Sequence, residues 1–175
     1  LFWKSVPNAI AETVDFAAVH TYPFLDTFYN PTVIDWRQKS VPAEQRAAAM
    51  VSAAVTLAKS QVAEVRNALD SLNLTDLPVV IGETGWTAVD NAGGPSLAFR
   101  AHPVNQKMYY DRLTAWAAEG RTGAGPKAVF YFVAFDEQWK QLDDGWGLFN
   151  KDRQARFAIQ SLNPNNSPAG SATWV

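Results

Sequence analysis

The sequence predicts an α/β fold in which parallel β-strands alternate with helices. Three apolar segments have the length and composition of buried strands, at residues 14–22, 78–81 and 128–135. Each of them is followed by a segment with helical signals, at residues 42–72, 104–119 and 155–162. A strand, a crossover helix and another strand form the unit from which parallel sheets are built.

The first connection is long and rich in aromatic residues. We expect residues 23–41 to form a loop, and a loop of this length in a compact domain is more often functional than idle. Pro42 then begins a helix, with Ser40 as its candidate cap. Apolar residues recur every three or four positions as far as Leu72, and Asn73 can end the helix in a left-handed conformation.

The second unit follows the strand at residues 78–81. A glycine-rich loop at 87–101 leads to a helix over 104–119, which Gly120 stops. The next strand, 128–135, is apolar on both faces, as expected for a parallel sheet covered by helices. A polar loop at 136–147 precedes the short helix that ends the predicted fold.

The two ends of the chain differ from its middle. Residues 1–12 are expected to be the last turns of a helix already under way, and because the chain opens on Leu1 rather than Met, we expect residues upstream to have been removed. Residues 163–175 consist mostly of Asn, Pro, Ser, Gly and Ala and are expected to form a disordered tail. The predicted domain therefore covers residues 1–162.

Composition excludes several classes of function. The chain has no cysteine, which rules out disulfides and thiolate chemistry but leaves the compartment open. The net charge of −2 gives no electrostatic reason to expect nucleic acid or an anionic membrane as a partner. Two histidines, His20 and His102, are too few and too far apart in sequence to predict a zinc site. We expect no metal and no cofactor.

Polar side chains lie where the predicted strands end. Tyr22 ends the first strand, Glu83 stands between two glycines after the second, and residues 136–140 (DEQWK) follow the third. Because the carboxyl ends of parallel strands form one face of a barrel, these residues are expected at an active-site mouth. Carboxylates interleaved with Trp and Tyr are the components of a glycoside hydrolase.

Three strings carry a resemblance to a known family: VIGETGW at 80–86, FYFVAFDEQWK at 130–140 and WGLF at 146–149. They resemble glycoside hydrolase family 17, and residues 14–23 resemble its bacterial branch. The resemblance implies a partial (β/α)₈ TIM barrel of about three βα units, corresponding to strands six to eight. It also implies a retaining hydrolase or glucanosyltransferase that acts on β-1,3-glucan or laminari-oligosaccharides, from a periplasmic, extracellular or membrane-tethered parent protein.

The same resemblance assigns roles to individual residues. Glu83 matches the nucleophile. Matching positions for substrate binding are, in chain order, Tyr22, Trp86, Glu137, Trp139 and Lys140. The two tryptophans are expected to be sugar platforms, with ordinary packing as the alternative, and Lys140 is alternatively a plain surface charge. His20 is expected to be a hydrogen-bonded core histidine.

The sequence departs from the family at one point. The family's acid/base glutamate follows an asparagine at the end of the fourth strand, and this chain contains no Asn-Glu pair. A retaining hydrolase without that group is expected to have severely reduced activity. The alternatives are a catalytically impaired β-glucan-binding half-barrel and a structural scaffold or engineered fragment. Because three strands cannot close a barrel, we expect self-association or pairing with a missing N-terminal portion.

Overall fold

A computed structural model describes residues 13–29, 32–89, 98–123, 125–140 and 145–162, without the side chains of residues 27–29 and 98. Its centre is a parallel sheet of three strands in the order β1-β2-β3. The strands are β1 (Ala17–His20), β2 (Val79–Thr84) and β3 (Val129–Tyr131). The predicted α/β class and the parallel sheet are confirmed, although β1 and β3 are shorter than predicted.

The register of the sheet brings the three strand ends to one edge. His20, the last residue of β1, pairs with Glu83 across a register shift. Thr84, the last residue of β2, pairs with Tyr131 at the end of β3. Beyond the strand ends the Phe132 N–H donates to the Thr84 carbonyl at 2.7 Å, so the alignment continues into the loops.

A helix follows β1 directly, where the sequence predicted only a loop. This helix, α1 (Pro23–Tyr29), has seven residues. The Tyr22 carbonyl accepts from the N–H groups of Leu25 and Asp26, and Pro is well placed in the first turn because its missing N–H is not needed there. An element of two turns is too short for its apolar periodicity to stand out in sequence.

The long second helix, α2 (Arg46–Ser71), is preceded by a 3₁₀ turn at Ala43–Gln45. The prediction that Ser40 caps it is wrong, because Gln45 occupies the cap position and makes no side-chain capping bond. At the other end Asn73 has a φ of 61°, which confirms the left-handed ending.

The third helix, α3 (Pro103–Gly120), agrees closely with its prediction. The Val104 N–H donates to Nδ1 of His102 at 3.2 Å, so a histidine caps the helix. Gly120 is its last residue, and a Cβ atom there would lie 2.2 Å from the Pro126 carbonyl oxygen, so glycine allows this close approach. The last helix, α4 (Phe157–Gln160), is shorter than the predicted segment.

The helices cover one face of the sheet only. Apolar residues of β1 and β2 pack with those of α2 and α3 into one core. Phe16 and Phe130 lie on the opposite face and are 54% and 62% exposed. None of the helices in the described segments is long and apolar enough to cross a membrane. The expectations for residues 1–12 and 163–175 lie outside the described residues.

Candidate active site

The carboxylate of Glu83 lies at the carboxyl edge of the sheet and is 43% exposed. The Tyr22 hydroxyl donates to its Oε2 at 2.8 Å. Nδ1 of His20 lies 3.5 Å from the same oxygen. The structure therefore brings together two of the residues singled out in the sequence, Tyr22 and Glu83, and adds a histidine that was not among the candidate site residues.

The ring of Tyr22 is held in place by two aromatic neighbours. Phe132 packs edge-on against it with ring centres 6.2 Å apart, and Trp146 does so at 5.7 Å. Trp146 is itself buried and packs against Phe24 of α1. Because such edge-to-face contacts restrict ring rotation, the Tyr22 hydroxyl stays directed at Glu83.

A buried tyrosine, Tyr109, and a partly buried one, Tyr131, hold the end of β2. The hydroxyls of Thr84 and Tyr109 lie 2.6 Å apart. The Tyr131 hydroxyl accepts from the Trp86 N–H and donates to the Trp86 carbonyl, both at 3.2 Å. Burial raises the pKa of both tyrosines, with hydrogen bonds from Thr84 and Trp86 acting in the opposite direction. They are therefore neutral hydrogen-bonding groups and not acid–base candidates at neutral pH.

Gln106 of α3 ties together the loops that follow β2 and β3. Its side-chain NH₂ lies 3.1 Å from the Trp86 carbonyl oxygen and 3.2 Å from that of Gly147. The sequence reasoning missed this residue. The available signal was a polar residue on the buried side of a helix, three positions before the buried Tyr109.

Trp86 is buried in the core, with no exposed surface. Its Nε1–H donates to the Arg100 carbonyl at 3.0 Å, and its ring packs against Phe24 and Tyr109. A sugar would find no free ring face to stack on. We therefore correct the expectation that Trp86 is a sugar platform and assign the residue to the core.

The loop after β3 presents the remaining candidates. Trp139 is 78% exposed, so most of its side chain is accessible to solvent. Lys140 forms an ion pair with Glu137, and its Nζ lies 5.1 Å from the centre of the Phe132 ring. Phe132 also packs against Tyr22, the residue that donates to Glu83. The Phe132 ring therefore lies between Lys140 and Tyr22.

Asp136, at the start of the same loop, is structural. Its Oδ2 accepts from the Arg156 guanidinium at 2.6 Å, and both side chains are buried. Its Oδ1 accepts from the N–H groups of Gly145 and Gly147 at 3.1 and 2.8 Å. Because both of its carboxylate oxygens are engaged by these partners, Asp136 holds the loop in place and is not available for catalysis at the carboxyl edge of the sheet.

His20 differs from the expected core histidine. Its side chain is 57% exposed and lies on the uncovered face of the sheet. A Cβ atom at Gly82 would lie 3.1 Å from Cδ2 and Nε2 of the ring, so the glycine provides the space in which the ring sits. Within the described residues, no group of three His, Cys, Asp or Glu could hold a metal ion.

Comparison with solved structures finds glycoside hydrolases with a similar fold. An endo-laminarinase from Formosa Hel1_33_131 has a TM-score of 0.77 and 28% identity over 96% of this chain and 44% of its own. Two plant β-glucan endohydrolases of distinct specificity are represented by a structure with a TM-score of 0.57 and 20% identity, covering 88% of this chain and 49% of that one. The glycoside hydrolase family 17 β-1,3-glucanosyltransferase from Rhizomucor miehei has a TM-score of 0.50 and 18% identity, covering 88% of this chain and 46% of its own.

The chain resembles the glycoside hydrolase family 17 enzymes. It spans less than half the length of each of these solved structures. No protein-family model and no curated protein sequence matches the chain.

Proposed function

We propose that this chain carries the nucleophile of a retaining glycoside hydrolase or transglycosylase that acts on β-1,3-glucan. The observation that supports it most directly is the position of Glu83, at the carboxyl edge of a parallel sheet with Oε2 held by Tyr22. The endo-laminarinase, which is 28% identical over almost the whole chain, supports the substrate class.

In this proposal a carboxylate oxygen of Glu83 attacks the anomeric carbon of a glucosyl unit. A C–O bond forms to the enzyme as the glycosidic C–O bond breaks, and the leaving oxygen takes a proton from a second carboxyl group. Water then attacks the glycosyl ester in hydrolysis, or a sugar hydroxyl attacks it in transglycosylation. The Tyr22 hydroxyl stabilises the carboxylate before attack and after its release.

The second carboxyl group would come from outside this sequence. We assign residues 1–162 to the C-terminal part of a (β/α)₈ barrel, strands six to eight, since the sheet has three parallel strands and the chain spans under half of its structural relatives. The acid/base segment belongs on the missing strands. An N-terminal portion or a second copy of the chain would cover the face that exposes Phe16 and Phe130.

Three residues of the loop after β3 are proposed to hold the sugar. Trp139 offers a free ring face for stacking. The Glu137–Lys140 pair offers both acceptor and donor groups to sugar hydroxyls. Tyr22 borders the same region through Phe132.

The test uses a substrate that needs no acid. A 2-deoxy-2-fluoro-β-laminaribioside with dinitrophenolate as leaving group departs without protonation, and fluorine slows the second step, so an ester on the nucleophile accumulates. We expect intact-protein mass spectrometry to show one added laminaribiosyl unit, located on Glu83 by peptide mapping. Glu83→Gln is the matched control and should gain no mass. A wild-type chain that stays unlabelled while it binds laminaritetraose would contradict the proposal.

The second candidate function is β-glucan binding without turnover. It is favoured by the lack of any Asn-Glu pair in the sequence together with the exposed Trp139. Calorimetry with laminaritetraose distinguishes the two: binding without labelling supports this candidate, and labelling excludes it.

A further inference from the structure

We propose that His20 is a positioning residue for Glu83, an inference that rests on the proposed function. Its Nδ1 lies 3.5 Å from Oε2 of Glu83, the oxygen that also accepts from Tyr22 at 2.8 Å. Within the described residues, both contacts of the Glu83 carboxylate fall on that one oxygen. The Tyr22 hydrogen bond and the His20 ring at the same oxygen restrict the plane of the carboxylate and leave Oε1 as the attacking oxygen.

The backbone of β1 and β2 makes room for the contact between His20 and Glu83. His20 and Glu83 are paired across β1 and β2, at the point where the register shifts. Gly82 precedes Glu83, and a Cβ atom there would approach the His20 ring to 3.1 Å. The register shift and the absent side chain together let the ring lie over Gly82 with Nδ1 directed at the carboxylate.

The contact with Glu83 requires one particular tautomer of the His20 ring. A neutral imidazole donates through one nitrogen and accepts through the other. Nδ1 of His20 lies 3.5 Å from a carboxylate oxygen, a position that favours hydrogen on that nitrogen, whereas Nδ1 of His102 accepts the Val104 N–H and so carries none. The chain has two histidines, and the structure assigns them opposite tautomers.

Nitrogen-15 NMR of the histidine-labelled chain, at a pH where both rings are neutral, tests the contact directly. We expect Nδ1–H at His20 and Nε2–H at His102. In Glu83→Ala, His20 should revert to the Nε2–H form that predominates in free histidine, while His102 stays unchanged. Nε2–H at His20 in the wild-type chain would overturn the inference.

Kinetics of labelling with the fluorinated laminaribioside test the positioning role. His20→Phe should lower the maximal labelling rate about tenfold and leave the half-saturating concentration unchanged, because a misplaced nucleophile slows attack rather than binding. His20→Asn keeps a donor and should recover part of the rate. His102→Phe, the same substitution at the other histidine, should label at the wild-type rate.

The outcomes separate this inference from the proposed function. A labelled wild-type chain whose rate is unaffected by His20→Phe overturns the positioning role and leaves Glu83 as nucleophile. An unlabelled wild-type chain with the expected tautomers overturns the proposed function and, with it, any catalytic meaning of the His20 contact.

Discussion

The Tyr22 hydroxyl lies 2.8 Å from Oε2 of Glu83, although the two residues are 61 positions apart in the sequence. The tyrosine follows β1 and the glutamate lies near the end of β2, so the contact exists because the strands are parallel and in register. A hydroxyl donating to a carboxylate stabilises the ionised form, which is the form a nucleophile needs.

Removing that hydroxyl should weaken the nucleophile. Because the hydrogen bond also holds the carboxylate in place, and a misplaced nucleophile attacks more slowly, we expect Tyr22→Phe to slow labelling of Glu83 by about 10–100-fold. Time-resolved mass spectrometry measures the rate. Tyr110→Phe is the matched control, because the Tyr110 ring packs against Tyr131 rather than near Glu83. Equal rates in wild type and Tyr22→Phe would show that the hydrogen bond has no role in attack.

Substitutions of Trp86 and Trp139 should have different effects, one on stability and the other on sugar binding. Trp86→Ala removes a fully buried ring and should destabilise the chain by about 3–5 kcal/mol. Trp139→Ala removes an exposed ring and should change stability by no more than about 0.5 kcal/mol while weakening laminaritetraose binding. Urea unfolding and calorimetry measure the two effects. Loss of affinity without loss of stability in Trp86→Ala would contradict the assignment of that residue to the core.

Two glycines on either side of Glu83 should tolerate alanine differently. At Gly82 the new Cβ meets the exposed His20 ring at 3.1 Å, and the ring can move, so Gly82→Ala should fold but alter the histidine NMR signal. At Gly85 the Cβ would lie 2.3 Å from the Phe132 carbonyl oxygen, which belongs to the backbone and cannot move away freely. Gly85→Ala should therefore lower the melting temperature sharply. Similar melting curves for the two variants would contradict this reading.

The uncovered sheet face should make the chain associate with itself. Phe16 and Phe130 are both more than half exposed on that face, and edge strands with large apolar side chains recruit partners. We expect light scattering at micromolar concentration to give a mass above that of one chain, and Phe130→Lys to reduce it. Val33→Lys, at an exposed valine in the loop before α2, is the control and should leave the mass unchanged. A sharply melting wild-type monomer would contradict the prediction.

The order of elements could be read from the sequence because it depends on local patterns. The apolar stripe ending near Leu72 predicts α2, and the left-handed conformation of Asn73 follows from residue type. Runs of β-branched residues predict β2 and, with a crossover helix on each side, a parallel sheet. Local patterns did not predict α1, because two turns of helix show too little apolar periodicity. They also misplaced the cap of α2 at Ser40, because the 3₁₀ turn at Ala43–Gln45 lies between Ser40 and the start of the helix.

The sequence by itself determined that Glu83 and Tyr22 lie near the carboxyl ends of two strands, because strand periodicity and flanking glycines are local properties. Only the tertiary structure decided which side chains meet. Trp86 is adjacent to the site in sequence yet lies in the core, while His20, expected to be buried, contacts Glu83 from the uncovered face. The physical reason is that strand register and the covering of one face by helices depend on packing between distant segments, which no local pattern encodes.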